Sequence, residues 1–141
     1  MARPSLSVQH FVACASIQPT SEGTNYPYNL IGISYVYGIP ARTEWPAKLS
    51  DLWLFVRFFY GTKSRSFDVD VVWLDGPDGE AEVCTIPDYE VNFGTNQSVA
   101  SRAFHVANVR FPGLGRYTFC LRPTGKRQVL AREFIEIQRQ P

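Results

Sequence analysis

Cysteine is scarce. Cys14, Cys84 and Cys120 are the three in 141 residues, an odd number without C-x-x-C spacing. That argues against a disulfide framework and a zinc ribbon. Histidine is scarcer still, with only His10 and His105, so a nucleophile–base–orienter set has few residues to draw on. No G-x-S-x-G, P-loop, G-x-G-x-x-G or H-E-x-x-H run occurs, which leaves the common hydrolase, nucleotide-binding and zinc-protease signatures without support. Charge of either sign is sparse: 14 basic residues against 13 acidic ones leave a net of +1. No long-range basic field follows from that balance, so neither nucleic acid nor a membrane is expected as a partner. Apolar runs stop well short of the roughly 18–20 residues of a membrane span. Near the N-terminus Arg3 is the lone basic residue, and Ser7, Gln9 and His10 interrupt the apolar core that a signal peptide needs. The expectation is a cytoplasmic protein with reduced thiols.

What is present is β-forming. The chain is 45% hydrophobic and 14% aromatic, a balance that favours sheet over helical bundle. Its length fits one domain spanning residues 1–141, with 1–6 a flexible lead-in. Residues 52–60 are apolar on both phases of a period-two pattern, which predicts a strand in the middle of the structure, covered on both faces. A short polar loop leads to Phe67, Val69, Val71 and Trp73, alternating with Asp68 and Asp70, so a hairpin is expected here. Further strands are expected over 8–17, 28–37, 80–86, 99–111, 116–122 and 128–138, the last with a bulge near Arg132. Residues 87–98 read as a long loop, and 75–79 as a tight turn of Asp, Gly and Pro. No stretch sustains a 3.6-residue period. The predicted fold is all-β, a single antiparallel β-sandwich of seven to eight strands.

Two segments together carry a resemblance: VQHFVACASI through LWLFVRF, and VRFPGLGRYTFCLRPTG with VLAREFIEI. The chain resembles an uncharacterised family of small bacterial immunoglobulin-like β-sandwich proteins. The resemblance implies a fold and no activity. In such sandwiches a Tyr after a Gly turn packs over the loop and its hydroxyl caps backbone groups; Tyr117 takes that place.

Candidate sites are few. No residue is assigned a catalytic role and no cofactor is expected. His10 and His105 read as strand residues, and the three cysteines as buried structural thiols. Asp75 and Asp78 sit where a calcium loop would lie, but turn formation accounts for them, as a solvated strand face does for Asp68 and Asp70; no metal is expected. Tyr26, Tyr28 and Trp45 lie in or beside loops, where exposed aromatics can contact a ligand or partner. Glu80, Glu82, Arg132, Glu133 and Glu136 look like guards on edge strands, whereas residues 8–17 carry no such guard. The leading expectation is a non-catalytic interaction module that self-associates or takes a protein partner through that strand. The alternative is a small-molecule or carbohydrate binder using Tyr26, Tyr28 and Trp45.

Overall fold

The computed structural model describes residues 6–19, 28–33, 35–59, 64–93 and 99–140, and among these there is no helix, hence none long and apolar enough to cross a membrane. Nine strands follow the chain: β1 Ser7–Pro19, β2 Tyr28–Ile33, β3 Val36–Ile39, β4 Trp53–Phe59, β5 Ser64–Gly76, β6 Gly79–Asn92, β7 Val99–His105, β8 Gly115–Pro123 and β9 Ala131–Arg139. They form a four-stranded sheet A in the order β2-β1-β4-β7 and a five-stranded sheet B in the order β3-β9-β8-β5-β6. The inner faces meet in one apolar core. Leu54, Val56 and Phe58 of β4 are fully buried there with Phe67 and Val69 of β5 and Tyr117, Phe119 and Leu121 of β8. Leu6 packs against that core, although it falls in the stretch expected to be a loose lead-in.

The all-β expectation holds, but the sheets are not wholly antiparallel. β3 runs parallel to β9, pairing Val36 with Glu136 and Ile39 with Arg139. The cause lies in residues 28–37, expected as one strand. The chain leaves sheet A after Ile33 and joins sheet B at Val36, so one β-rich run serves both sheets and reaches β9 from the parallel direction.

Other boundaries shift for local reasons. β6 continues through Pro87 where a loop was expected. It is an edge strand, so the missing N–H breaks no inner ladder, and a register shift between Phe67 and Val69 absorbs the extra residue opposite. β7 stops at His105, and residues 106–111 leave the sheet to form a bridge between Phe111 and Ala47. No bulge occurs near Arg132, because β8 and β9 pair in unbroken register from Ala131 to Ile137. The apparent slip in the pattern has another cause: Glu133 faces inward, opposite Phe119. It is 5% exposed, and its carboxylate accepts the backbone N–H groups of Ala13 and Phe134, each at 2.8 Å. Glu133 therefore ties sheet B to sheet A rather than guarding an edge.

The Pro112–Gly115 turn is held from two directions. A Cβ on Gly113 would lie 2.8 Å from the Trp73 ring, and Gly115 has φ +120°, so both positions require glycine. Tyr117 Oη donates to the Gly113 carbonyl at 2.6 Å and accepts from the Gly113 N–H at 3.1 Å, the capping expected of this tyrosine. Asp75 bonds not to its own turn but to Arg116, accepting from the backbone N–H at 2.7 Å and from Nη2 at 2.8 Å. The Arg116 side chain and N–H hold the Asp75 carboxyl down, from 3.8 to about 2. A depressed value in the folded state stabilises above the ordinary carboxylate range and is lost as pH falls toward 2. Between about pH 4 and pH 2 the thermal midpoint of the native protein should therefore fall more steeply than that of Asp75→Asn. Equal slopes would show that the Arg116 contact does not persist in solution.

Candidate functional site

Sheet B uses its charges on itself. Arg122 donates from Nε to Asp70 at 2.7 Å, and its Nη1 lies 3.3 Å from Asp68. Thr85 and Thr124 hydroxyls donate to Asp70 and Asp68. Asp68 is buried, which corrects its reading as part of a solvated face: Arg122 offsets the desolvation. The Arg122 side chain and Thr85 hydroxyl hold the Asp70 carboxyl below its ordinary value. Asp70, Thr85 and Arg122 border an open concavity of about 540 Å³ also lined by Val72, Cys84 and Cys120. Its one cation is already committed to two carboxylates, so it offers little to an anion. Cys84 is exposed, against expectation, because it lies on edge strand β6. Partial desolvation of the sulfur against the sheet, then the Asp70 charge, push its thiol pKa up, so the thiolate is disfavoured, and burial does the same at Cys14. Among the described residues no group of three or more His, Cys, Asp or Glu is placed to hold a metal. Asp75 is taken up by Arg116, and Asp78 is an exposed turn residue.

Sheet A is built differently. None of its four strands contains an aspartate or glutamate, and their basic residues are His10, Arg57, Arg102 and His105. On sheet B, by contrast, β5 and β6 alone carry Asp68, Asp70, Asp75, Glu80, Glu82, Asp88 and Glu90. On β4, Leu54, Val56 and Phe58 face the core, which turns Trp53, Phe55, Arg57 and Phe59 outward. Register sets His10 and Ser101 on either side of Arg57, Val12 and Ala103 on either side of Phe55, and His105 beside Trp53. The indole of Trp53 and the imidazole of His105 stack with centroids 4.7 Å apart and planes 11° from parallel. His105 Nε2 lies 2.5 Å from the Ser50 carbonyl oxygen, which fixes the ring against the indole. The Arg57 guanidinium lies over the Phe59 ring at 5.8 Å. At the rim, where β7 faces β6, Arg102 lies over Tyr89 at 5.1 Å. Trp53, Arg57 and Phe59 are half-buried, while His10, Arg102 and His105 are exposed. Phe55 is buried although it is turned away from the core, and Arg102, paired with core-facing Val56, lies on the inner side at the rim, so the outer face of these strands carries His10, Trp53, Arg57, Phe59 and His105.

None of the aromatics picked from sequence lies on β4 or β7. Trp45 is half-buried and packs against the core. Tyr28 opens β2, its backbone paired with Pro19. Tyr26 lies outside the described residues. The sheet A residues were missed because their shared feature, strands without carboxylates, emerges only once those strands are known to form one sheet.

No protein-family model and no curated protein matches the chain, so the family resemblance stays at the level of fold. Among solved structures the chain is similar to Pseudomonas fluorescens alkylpurine DNA glycosylase AlkC bound to DNA containing an abasic site analog. The TM-score is 0.52 at 12% identity, over 97% of this chain and 31% of that one. The chain thus spans about a third of the glycosylase's length, and the likeness is one of fold. It is also similar to an immunoglobulin-like protein from Pseudomonas aeruginosa, with a TM-score of 0.48 at 9% identity, over 98% of this chain and 100% of that one.

The partner expectations change on these findings. The exclusion of nucleic acid rested on a net charge that averages two sheets of opposite bias, and the fold recurs in a protein solved on DNA. The expectation of self-association or a protein partner rested on an unguarded edge at residues 8–17. β1 is not an edge, since β2 and β4 pair with it on either side.

Proposed function

We propose that the chain is a non-catalytic, immunoglobulin-like sandwich that binds nucleic acid on the outer face of sheet A. The carrying observation is the segregation of carboxylates: the sheet A strands contain arginine and histidine beside aromatic rings and no aspartate or glutamate, and the strand carboxylates lie on sheet B. Phosphates are recognised by cations and bases by aromatic faces, and the strands of sheet A carry residues of both kinds. The Tyr117 cap on Gly113, a feature of immunoglobulin-like folds, supports the fold assignment.

Fluorescence anisotropy with a labelled DNA oligonucleotide at about 50 mM salt tests the reading, because affinity for a polyanion falls with salt. Arg57→Gln is expected to weaken binding and to lower the log–log salt slope by about 1. His10→Glu, which places a carboxylate on the face, should weaken it further. Arg132→Glu, on an exposed residue of sheet B, should leave it unchanged. No binding at low salt, or equal losses from Arg132→Glu and His10→Glu, would refute the proposal.

A further inference from the structure

Resting on that reading, we infer that the sheet A face takes up its ligand together with protons: His10 and His105 become imidazolium ions as pH falls, and polyanion binding tightens with them.

Fixed charge on this face is small. Arg57 is ionised throughout the neutral range, whereas His10 and His105 bring positive charge only when protonated. Imidazole is the side chain whose charge ordinarily changes between about pH 5 and pH 8. The strands of sheet A contain no aspartate or glutamate to neutralise the added charge. Acidification therefore makes the face more attractive to phosphates. By reciprocity, a bound polyanion favours the protonated rings.

The surroundings of each ring permit the change. His10 is exposed on β1 and stands opposite Arg57 of β4. Arg57 keeps one charge state over this range, so it adds no pH dependence of its own. β2, on the other side of β1, has no charged residue. Glu133 reaches β1 from between the sheets, where its carboxylate accepts the Ala13 N–H.

His105 is exposed on β7, and its ring stacks on Trp53 of β4. Its Nε2 lies 2.5 Å from the Ser50 carbonyl oxygen. A carbonyl only accepts, so Nε2 carries hydrogen and Nδ1 is the atom that takes the added proton. Neither the Ser50 bond nor the stack has to break. Asp51 follows Ser50 and is exposed. β6 meets β7 through Tyr89 on Phe104, and Glu90, next along that strand, points to the opposite face. Among the described residues neither histidine forms an ion pair with a carboxylate.

The test follows a labelled thymidine oligonucleotide, whose bases and phosphates do not titrate near neutrality. Anisotropy is read at about pH 7.5 and about pH 5.5, both at about 50 mM salt. Affinity is expected to rise at least about tenfold at the lower pH, the worth of one charge-assisted contact. The log–log salt slope should steepen by about 1 to 2 as the imidazoles join the contact. His10→Gln should cut the rise to about threefold, and His10→Gln with His105→Gln should bring it below about twofold. Circular dichroism checks both proteins. If the double variant does not fold, His10→Gln decides alone, since its side chain is exposed. Equal affinity at the two pH values would overturn this inference and leave nucleic-acid binding standing. So would a rise undiminished by His10→Gln, which would point instead to the Glu133 carboxyl, whose pKa burial raises. No binding at either pH would overturn both.

Discussion

Phe58→Ala is expected to lose about 3–5 kcal/mol of stability, read as a lower urea midpoint at unchanged slope. Phe58 is fully buried on β4 and stacks on Phe67 of the opposing sheet, centroids 4.5 Å apart. It also meets Phe93 edge-on at 5.8 Å. Truncation removes the transfer energy of the ring and leaves a cavity that fixed strands on both sides cannot close. A domain of this kind typically has about 5–15 kcal/mol in hand, so the variant would sit near its unfolding threshold. A loss below about 1 kcal/mol would mean that the sheets do not meet at this residue.

Tyr117→Phe, a change of one oxygen atom, should cost about 2–4 kcal/mol. The hydroxyl serves both the N–H and the carbonyl of Gly113 in a buried turn. Phenylalanine would leave two backbone groups without partners, each at about 1–3 kcal/mol. Burial also pushes the Tyr117 pKa up to about 12, so the phenol stays protonated and donating across the neutral range. Urea denaturation of the variant measures the cost; a loss below about 0.5 kcal/mol would show that water replaces the hydroxyl and the turn is not sealed.

Much of this fold can be read from the residues because period-two patterns report burial directly. β4, apolar in both phases, does lie inside its sheet, and the Gly–Tyr turn before β8 takes the expected form. What the pattern does not carry is which sheet a strand joins. Residues 28–37 look like one strand and serve two sheets, because nothing in a β-rich run marks the point where it changes partners. Glu133 breaks the alternation of β9 and looks like an edge charge or a bulge. Only the meeting of β9 with β1 shows that it reaches the Ala13 N–H. Its carboxyl pKa is raised by burial, and the two backbone N–H groups oppose that rise. The candidate site was hidden for a related reason. A net charge of +1 sums sheet A and sheet B, whose biases are opposite, and the sum erases the feature that matters. Segregation of charge is a property of topology, so composition alone could not reveal it.

Backbone amide shifts recorded while a DNA oligonucleotide is titrated into the labelled protein test the central claim most directly, since they show where on the molecule the ligand sits. The account predicts changes concentrated on β1, β4 and β7, centred on Trp53, Arg57 and His105, with β5, β6 and β8 unmoved. Shifts confined to sheet B around Asp70 and Arg122, or none at saturating DNA, would contradict it.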